Sequence, residues 1–281
     1  MIKKALLIIS LTIVAAYNLT IIYVDNNIQN KSQLNIYDDC HKVWSARGVY
    51  ENHAEQNSLI SLKRAFLLGS KGAEIDLYYD VKTNDFIISH DRPKTTEEGE
   101  LAYTLKEGEV LTLERVFKET GHDHYFWLDY KNLDRLSSEQ TSKAIARLLS
   151  ISAENSIRER IYLEGSNPLI VSKYTDAGFK TILGIHPPYE SSLLSNIAIN
   201  IYKMAYYFNN ITAIAMSYGL LEKPYYGSQA EKNLEGLPVF LFHVPDNETL
   251  IKRLLAKKEV KVVLAGRDVS LNRADLTACE K

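Results

Sequence analysis

The chain has 281 residues, 46% apolar and 24% charged, enough for one substantial hydrophobic core. A formal charge of -2, with no basic stripe, argues against a nucleic-acid binder held by electrostatics. Low-complexity tracts, long Pro/Gly/Ser linkers and internal repeats are all lacking, which excludes a disordered or solenoid chain and leaves one domain over residues 25–281.

Residues 1–24 read as a signal peptide or a signal anchor. Lys3 and Lys4 precede an apolar run over residues 5–16, and Val14-Ala15-Ala16 offers a small-residue cleavage site. Left uncleaved, the run continues to Val24, about the 20 residues needed to cross a bilayer once. Both versions place the remainder outside the cytoplasm, either exported (periplasmic or secreted) or anchored to the membrane. The two cysteines, Cys40 and Cys279, could form a disulfide in an oxidising compartment, because the first and last strands of a closed barrel are neighbours. Two free thiols are the alternative.

Residues 26–39 are a polar lead-in, and 42–45 form a short strand. It runs into Arg47-Gly48, where glycine permits a tight bend and the guanidinium could grip a phosphate bidentately. Leu59, Leu62, Ala65, Phe66 and Leu68 make a helical stripe closed by Gly69. A strand over 73–79 follows. Side chains two apart on a strand share a face, so Glu74 and Asp76 converge and repel each other. A divalent cation relieves that repulsion, and all-oxygen ligation suits Mg²⁺ or Ca²⁺. The turn Lys82-Thr83-Asn84-Asp85 reverses the chain, and Phe86-Ile87-Ile88 delivers His90 and Asp91 to a strand end, where a general acid or base could sit.

The alternation continues with helices over 111–120, 137–150 and 168–177 and strands over 125–130, 161–164 and 180–185. Residues 191–208, apolar and tyrosine-rich, predict an inserted helix or helical pair around 189–208, serving core packing or an apolar or membrane-facing wall. Strands over 213–217, 239–243 and 260–264, with helices over 231–234 and 247–257, complete the series. Strand and helix alternating about eight times predict a single (β/α)8 TIM-type barrel. No glycine-rich nucleotide fingerprint and no Gly-x-Ser-x-Gly elbow is present.

In such a barrel, site residues gather at the carboxyl ends of strands. Asp129 and Lys131 share a strand face, so Asp129 could be a third metal ligand and Lys131 could neutralise the non-bridging oxygens of a phosphodiester. E-x-D and D-x-K pairs also occur by chance, and only their order along the chain gives them weight. Ser166 and Asn167, after the 161–164 strand, could line the pocket. His243 either faces the site or is a hydrogen-bonded core histidine. His122-Asp123-His124 and His186 read as loop residues.

The series Arg47-Gly48, Gln56-Asn57-Ser58, Glu74-Ile75-Asp76, His90-Asp91, Thr112-Leu113-Glu114 and Asp129-Tyr130-Lys131 resembles the glycerophosphodiester phosphodiesterase family of the phospholipase-C-like barrel superfamily. The likeness is firm over residues 44–132 and faint afterwards, and the family's terminal motif is not evident. It implies a metal-dependent phosphoric diester hydrolase. Glu74, Asp76 and Asp129 would hold a divalent cation, Arg47 and Lys131 would contact phosphate, and His90 would be one of two acid/base histidines. Many members carry glutamate where Asp129 stands, whereas the related venom sphingomyelinases D carry aspartate, so a lysophospholipid-type substrate is as open as a glycerol diester. The family's first histidine precedes Arg-Gly; here that position is Ala46. A methyl group cannot transfer a proton, so either His41 or His53 substitutes from a loop, or the chain is a catalytically impaired pseudoenzyme that binds phosphate ligands at the cell envelope.

Overall fold

The computed structural model describes residues 2–31, 36–97, 99, 101–186, 188, 191–219, 227, 230–231 and 236–266. In chain order the strands are β1 (Val43–Ala46), β2 (Gly72–Asp80), β3 (Asp85–Ile88), β4 (Lys94–Thr95), β5 (Leu101–Ala102), β6 (Tyr125–Tyr130), β7 (Ile161–Gly165), β8 (Lys180–Ile185), β9 (Ala213–Ser217), β10 (Val239–Phe242) and β11 (Val260–Ala265). The helices are α1 (Ile2–Asn27), α2 (Leu59–Leu67), α3 (Leu113–Thr120), α4 (Ser138–Glu154), α5 (Pro168–Asp176), α6 (Ser192–Phe208) and α7 (Glu248–Leu255).

Parallel strands in the order β1-β11-β10-β9-β8-β7-β6-β2 form a sheet that closes on itself where Ser45 pairs with Ala73 and Ala46 with Glu74. The result is a (β/α)8 barrel. β3 turns back antiparallel along the far end of β2, Leu77 opposite Ile88, and β4 and β5 make a small exposed hairpin beyond it.

Alternation along each strand sorts the side chains into two cores. Trp44, Trp127, Tyr162, Ile182, Phe240 and Val262 pack together in the barrel interior. Ala73, Ile75 and Leu77, the odd residues of β2, pack outward with Leu62, Val116 and other helix side chains. Glu74 and Asp76 are thus committed to the interior by the pleat. Gly72 is required at the base of β2, since a Cβ there would lie 2.4 Å from the Trp44 indole.

The apolar stretch over 191–208 forms the single helix α6. It joins β8 to the adjacent β9, so it serves as that unit's own crossover rather than as an extra segment. α1 belongs to Lys4–Asn30, a helical stretch long and apolar enough to cross a membrane, its most apolar 18 residues having a mean hydropathy of 2.2. Its last turns meet α6: Lys203 Nζ lies 2.9 Å from Asp25 Oδ1, and the Tyr23 and Tyr207 rings meet edge to face at 5.9 Å. The expected Cys40–Cys279 pairing ends on a residue outside the described set, as does most of the helix expected over 231–234. His124, expected in a solvated turn, instead stacks on Phe66 with ring centroids 3.8 Å apart.

Candidate active site

The carboxyl ends of the barrel strands surround a cavity of about 640 Å³. Register builds its acidic wall, since Asp76 pairs with Asp129 and Asp129 with Glu164, placing three carboxylates side by side on β2, β6 and β7. Glu74 stands one tier below, level with Trp127. Carboxylate oxygens of Glu74, Asp76 and Asp129 lie within 4.8 Å of one another, and Asp76 is fully buried.

Cations and amides hold this wall. Arg47 Nε lies 2.8 Å from Asp76 Oδ2 and 4.0 Å from Glu74 Oε2. Lys131 Nζ is 2.5 Å from Asp76 Oδ1 and also contacts Asp129. Asn57 brackets Asp76, its Nδ2 donating to Oδ2 at 2.8 Å and its Oδ1 accepting from the Asp76 backbone N–H at 3.1 Å. Such geometry needs unusual backbone: Arg47 and Asn57 have φ of 61° and 57°. Gly48 follows with φ of 81°, where a Cβ would lie 2.5 Å from the Ser61 backbone. Side chain and main chain at the Arg47-Gly48 bend are therefore both fixed, and only glycine fits its second position.

Burial pushes the Glu74 carboxyl well above the usual range, and the Asp76 and Asp129 charges push it further, against Arg47 and Lys131. Burial likewise raises Glu164 to about 8, with the Asp129 charge adding to it and a hydrogen bond from Trp127 opposing it; Trp127 Nε1 donates to Glu164 Oε2 at 2.6 Å. Lys131 is drawn down by burial, but Asp129 and Asp76 outweigh that and raise it. Burial first, and mutual repulsion second, thus oppose full ionisation of the wall. Asp76 Oδ1 is fully enclosed and meets the Lys131 ammonium at 2.5 Å. An oxygen-rich cluster of this kind fits a hard divalent cation.

Arg47, Glu74, Asp129, Lys131, Ser166 and His243 line the cavity, and Asp76 lies behind them in contact with Arg47 and Lys131. Ser166 Oγ donates to Asp134 Oδ2 at 2.6 Å. His90 is not on the cavity wall. It stands on the rim, 46% exposed, with Nδ1 2.9 Å from Asp91 Oδ1, in a segment tied to β2 by Ser89 N–H donating to Asp76 O at 3.0 Å. Ala46 lines the cavity beside Glu74. Sequence reasoning missed Glu164 and the placement of His186 on the wall. Glu164 is set by its register against Asp129, whereas an inward position two residues beyond Gly184 was the signal for His186.

No protein-family model matches the chain, and no curated protein is significantly similar to it in sequence. Solved structures do share its fold. A glycerophosphodiester phosphodiesterase from Parabacteroides distasonis superposes with a TM-score of 0.60 at 14% identity, over 85% of this chain and 98% of that one. The enzyme of the same description from Thermotoga maritima gives 0.56 at 17%, over 82% and 96%. An Oleispira antarctica phosphodiesterase, solved with the product sn-glycerol-3-phosphate, gives 0.54 at 14%, over 85% and 97%. The chain thus has the (β/α)8 barrel fold of glycerophosphodiester phosphodiesterases.

Proposed function

We propose that the chain is a divergent member of the glycerophosphodiester phosphodiesterase family, a metal-dependent hydrolase of glycerophosphodiesters or lysophospholipid-type diesters working outside the cytoplasm. The observation that carries this is the convergence of Glu74, Asp76 and Asp129 beside Arg47 and Lys131 at the mouth of the barrel. Those three carboxylates would hold Mg²⁺ or Ca²⁺. Such an ion supplies charge for a phosphoryl oxygen and lowers the barrier to displacement there.

The chain's own residues do the rest. Lys131, which lines the cavity and contacts Asp76 and Asp129, would compensate the non-bridging oxygens as their charge grows. Arg47, pinned by its backbone, offers a planar donor whose orientation is set before substrate arrives. Gln56, whose Oε1 accepts from Arg47 Nη1 at 3.3 Å, restrains that guanidinium further. Protein supplied with Mg²⁺ or Ca²⁺ is expected to release alcohol from a glycerophosphodiester or lysophospholipid, and Glu74→Ala to abolish release. A panel of such diesters left intact by the metal-supplied protein overturns the reading.

Ala46 on the cavity wall favours a second reading, a phosphate-ligand-binding protein that kept the contacts and lost the chemistry. Ala46→His separates the two: a large gain in rate marks a decayed enzyme, whereas high activity before substitution means that another group moves the proton.

A further inference from the structure

Hydrolysis of a phosphodiester needs a base for the attacking water, and Ala46 offers none. His41 precedes β1 at the opposite end of the barrel, with Nδ1 2.7 Å from Asp39 Oδ1. His53 lies on the exposed surface, where its Nδ1 is 2.6 Å from Gln56 Nε2. Neither lines the cavity; among the described residues the imidazoles that do are His186 and His243. We infer that His243 is the general base of this site, an assignment that rests on the phosphodiesterase reading above.

Backbone geometry presents the ring. His243 directly follows β10 with φ of 51°, a left-handed conformation uncommon for residues other than glycine and concentrated at active sites and ligand clamps. The preceding strand end is fixed by Tyr218 N–H donating to Phe242 O at 2.9 Å. The Phe242 ring lies against both imidazoles, with centroids 6.1 Å from His186 and 4.9 Å from His243. Partial burial at the mouth, then the charges of Arg47 and His186, hold His243 below its ordinary value of 6.5. Asp246 also lines the cavity, from the loop beyond it. At neutral pH the ring is therefore uncharged and able to accept a proton.

His90 is placed for the complementary task. Asp91 Oδ1 engages its Nδ1, leaving Nε2 as the nitrogen that would serve a leaving alcohol at the rim. In the balanced step, water oxygen bonds to phosphorus while its proton passes to His243, and the P–O ester bond breaks while the departing oxygen takes a proton from His90. Proton exchange with solvent then restores both rings.

The test is His243→Asn, chosen because asparagine tolerates the left-handed backbone. The expected result is a 10²- to 10⁴-fold fall in kcat with KM little changed. The ascending limb of the kcat/KM–pH profile, which in the parent lies below 6.5, should disappear. Competitive inhibition by inorganic phosphate should be kept, showing an intact pocket. Unchanged kcat in an active parent overturns the His243 assignment alone, and so does a loss carried instead by His186→Asn. A parent enzyme without turnover on any diester removes this assignment together with the phosphodiesterase reading.

Discussion

At the scale of single residues, burial and then the neighbouring Asp129 charge oppose ionisation of Glu164, with a consequence for stability. Its carboxyl is held at about 8 in the folded chain against an ordinary value of 4.5. The folded state therefore binds the proton more tightly than the unfolded state between those values. The resulting stabilisation is complete below 4.5 and lost as pH rises through 8. Glu164→Gln keeps an oxygen for the Trp127 N–H and removes the ionisation. With a chelator present, unfolding free energy of the parent should fall across this window more steeply than that of the variant, by up to about 1.4 kcal/mol per pH unit. Parallel curves would show that another group carries the pH dependence. Glu164 went unread in the sequence because one acidic residue closing a strand is ordinary. Its meaning comes from standing level with Asp129 across a strand pairing that no local pattern announces. Glu74-x-Asp76 and Asp129-x-Lys131 were legible because each pair sits within one strand, where a period of two alone fixes the common face.

At the scale of elements, α2 links helix capping to the site. Ser58 caps its N-terminus in a reciprocal box with Ser61, and the adjacent Asn57 and Gln56 hold Asp76 and Arg47. Ser58→Ala should lower stability by about 1 kcal/mol in urea unfolding. Because the cap fixes the segment that brackets Asp76, it should also weaken Mg²⁺ or Ca²⁺ binding measured by calorimetry. An unaltered affinity alongside lowered stability would mean that the Asn57 bracket is set by β2 and the Arg47 bend alone. Elements with a clear period were read closely from sequence: β6 and β8 span the residues expected, and the 191–208 stretch is helical. β4 and β5 were not anticipated, because two exposed residues a side carry no buried face and hence no pattern. The docking of α1 on α6 was equally invisible, since a run apolar on every side has no polar face to show which stripe meets protein.

For the whole molecule, that docking divides α1 into two parts with different fates. Between Lys4 and Ala16 every residue is exposed, whereas Tyr17, Thr20, Ile21, Val24 and Ile28 form a shielded stripe at helical spacing, with Val24 at 0% and Ile28 at 3% exposure. The exposed part includes Leu6, Leu7, Ile8, Ile9, Leu11 and Ile13, each more than half exposed. At roughly 1.5–3 kcal/mol for each such side chain moved out of water, a lipid or detergent environment is strongly favoured for them. The small-residue site at Val14-Ala15-Ala16 falls on the boundary between the two parts, so removal of residues 1–16 would leave the docked stripe in place. A chain beginning at Tyr17 should accordingly stay soluble and melt close to the parent. One beginning after Ile28 loses two buried core side chains, the Tyr23–Tyr207 contact and the Asp25–Lys203 pair, and should melt markedly lower. The full chain should require detergent or sediment with lipid vesicles, and the chain beginning at Tyr17 should not. Equal melting of the two truncated chains would show the α1–α6 contact to be energetically empty. A full chain soluble without detergent would show that the exposed stretch finds cover within the protein.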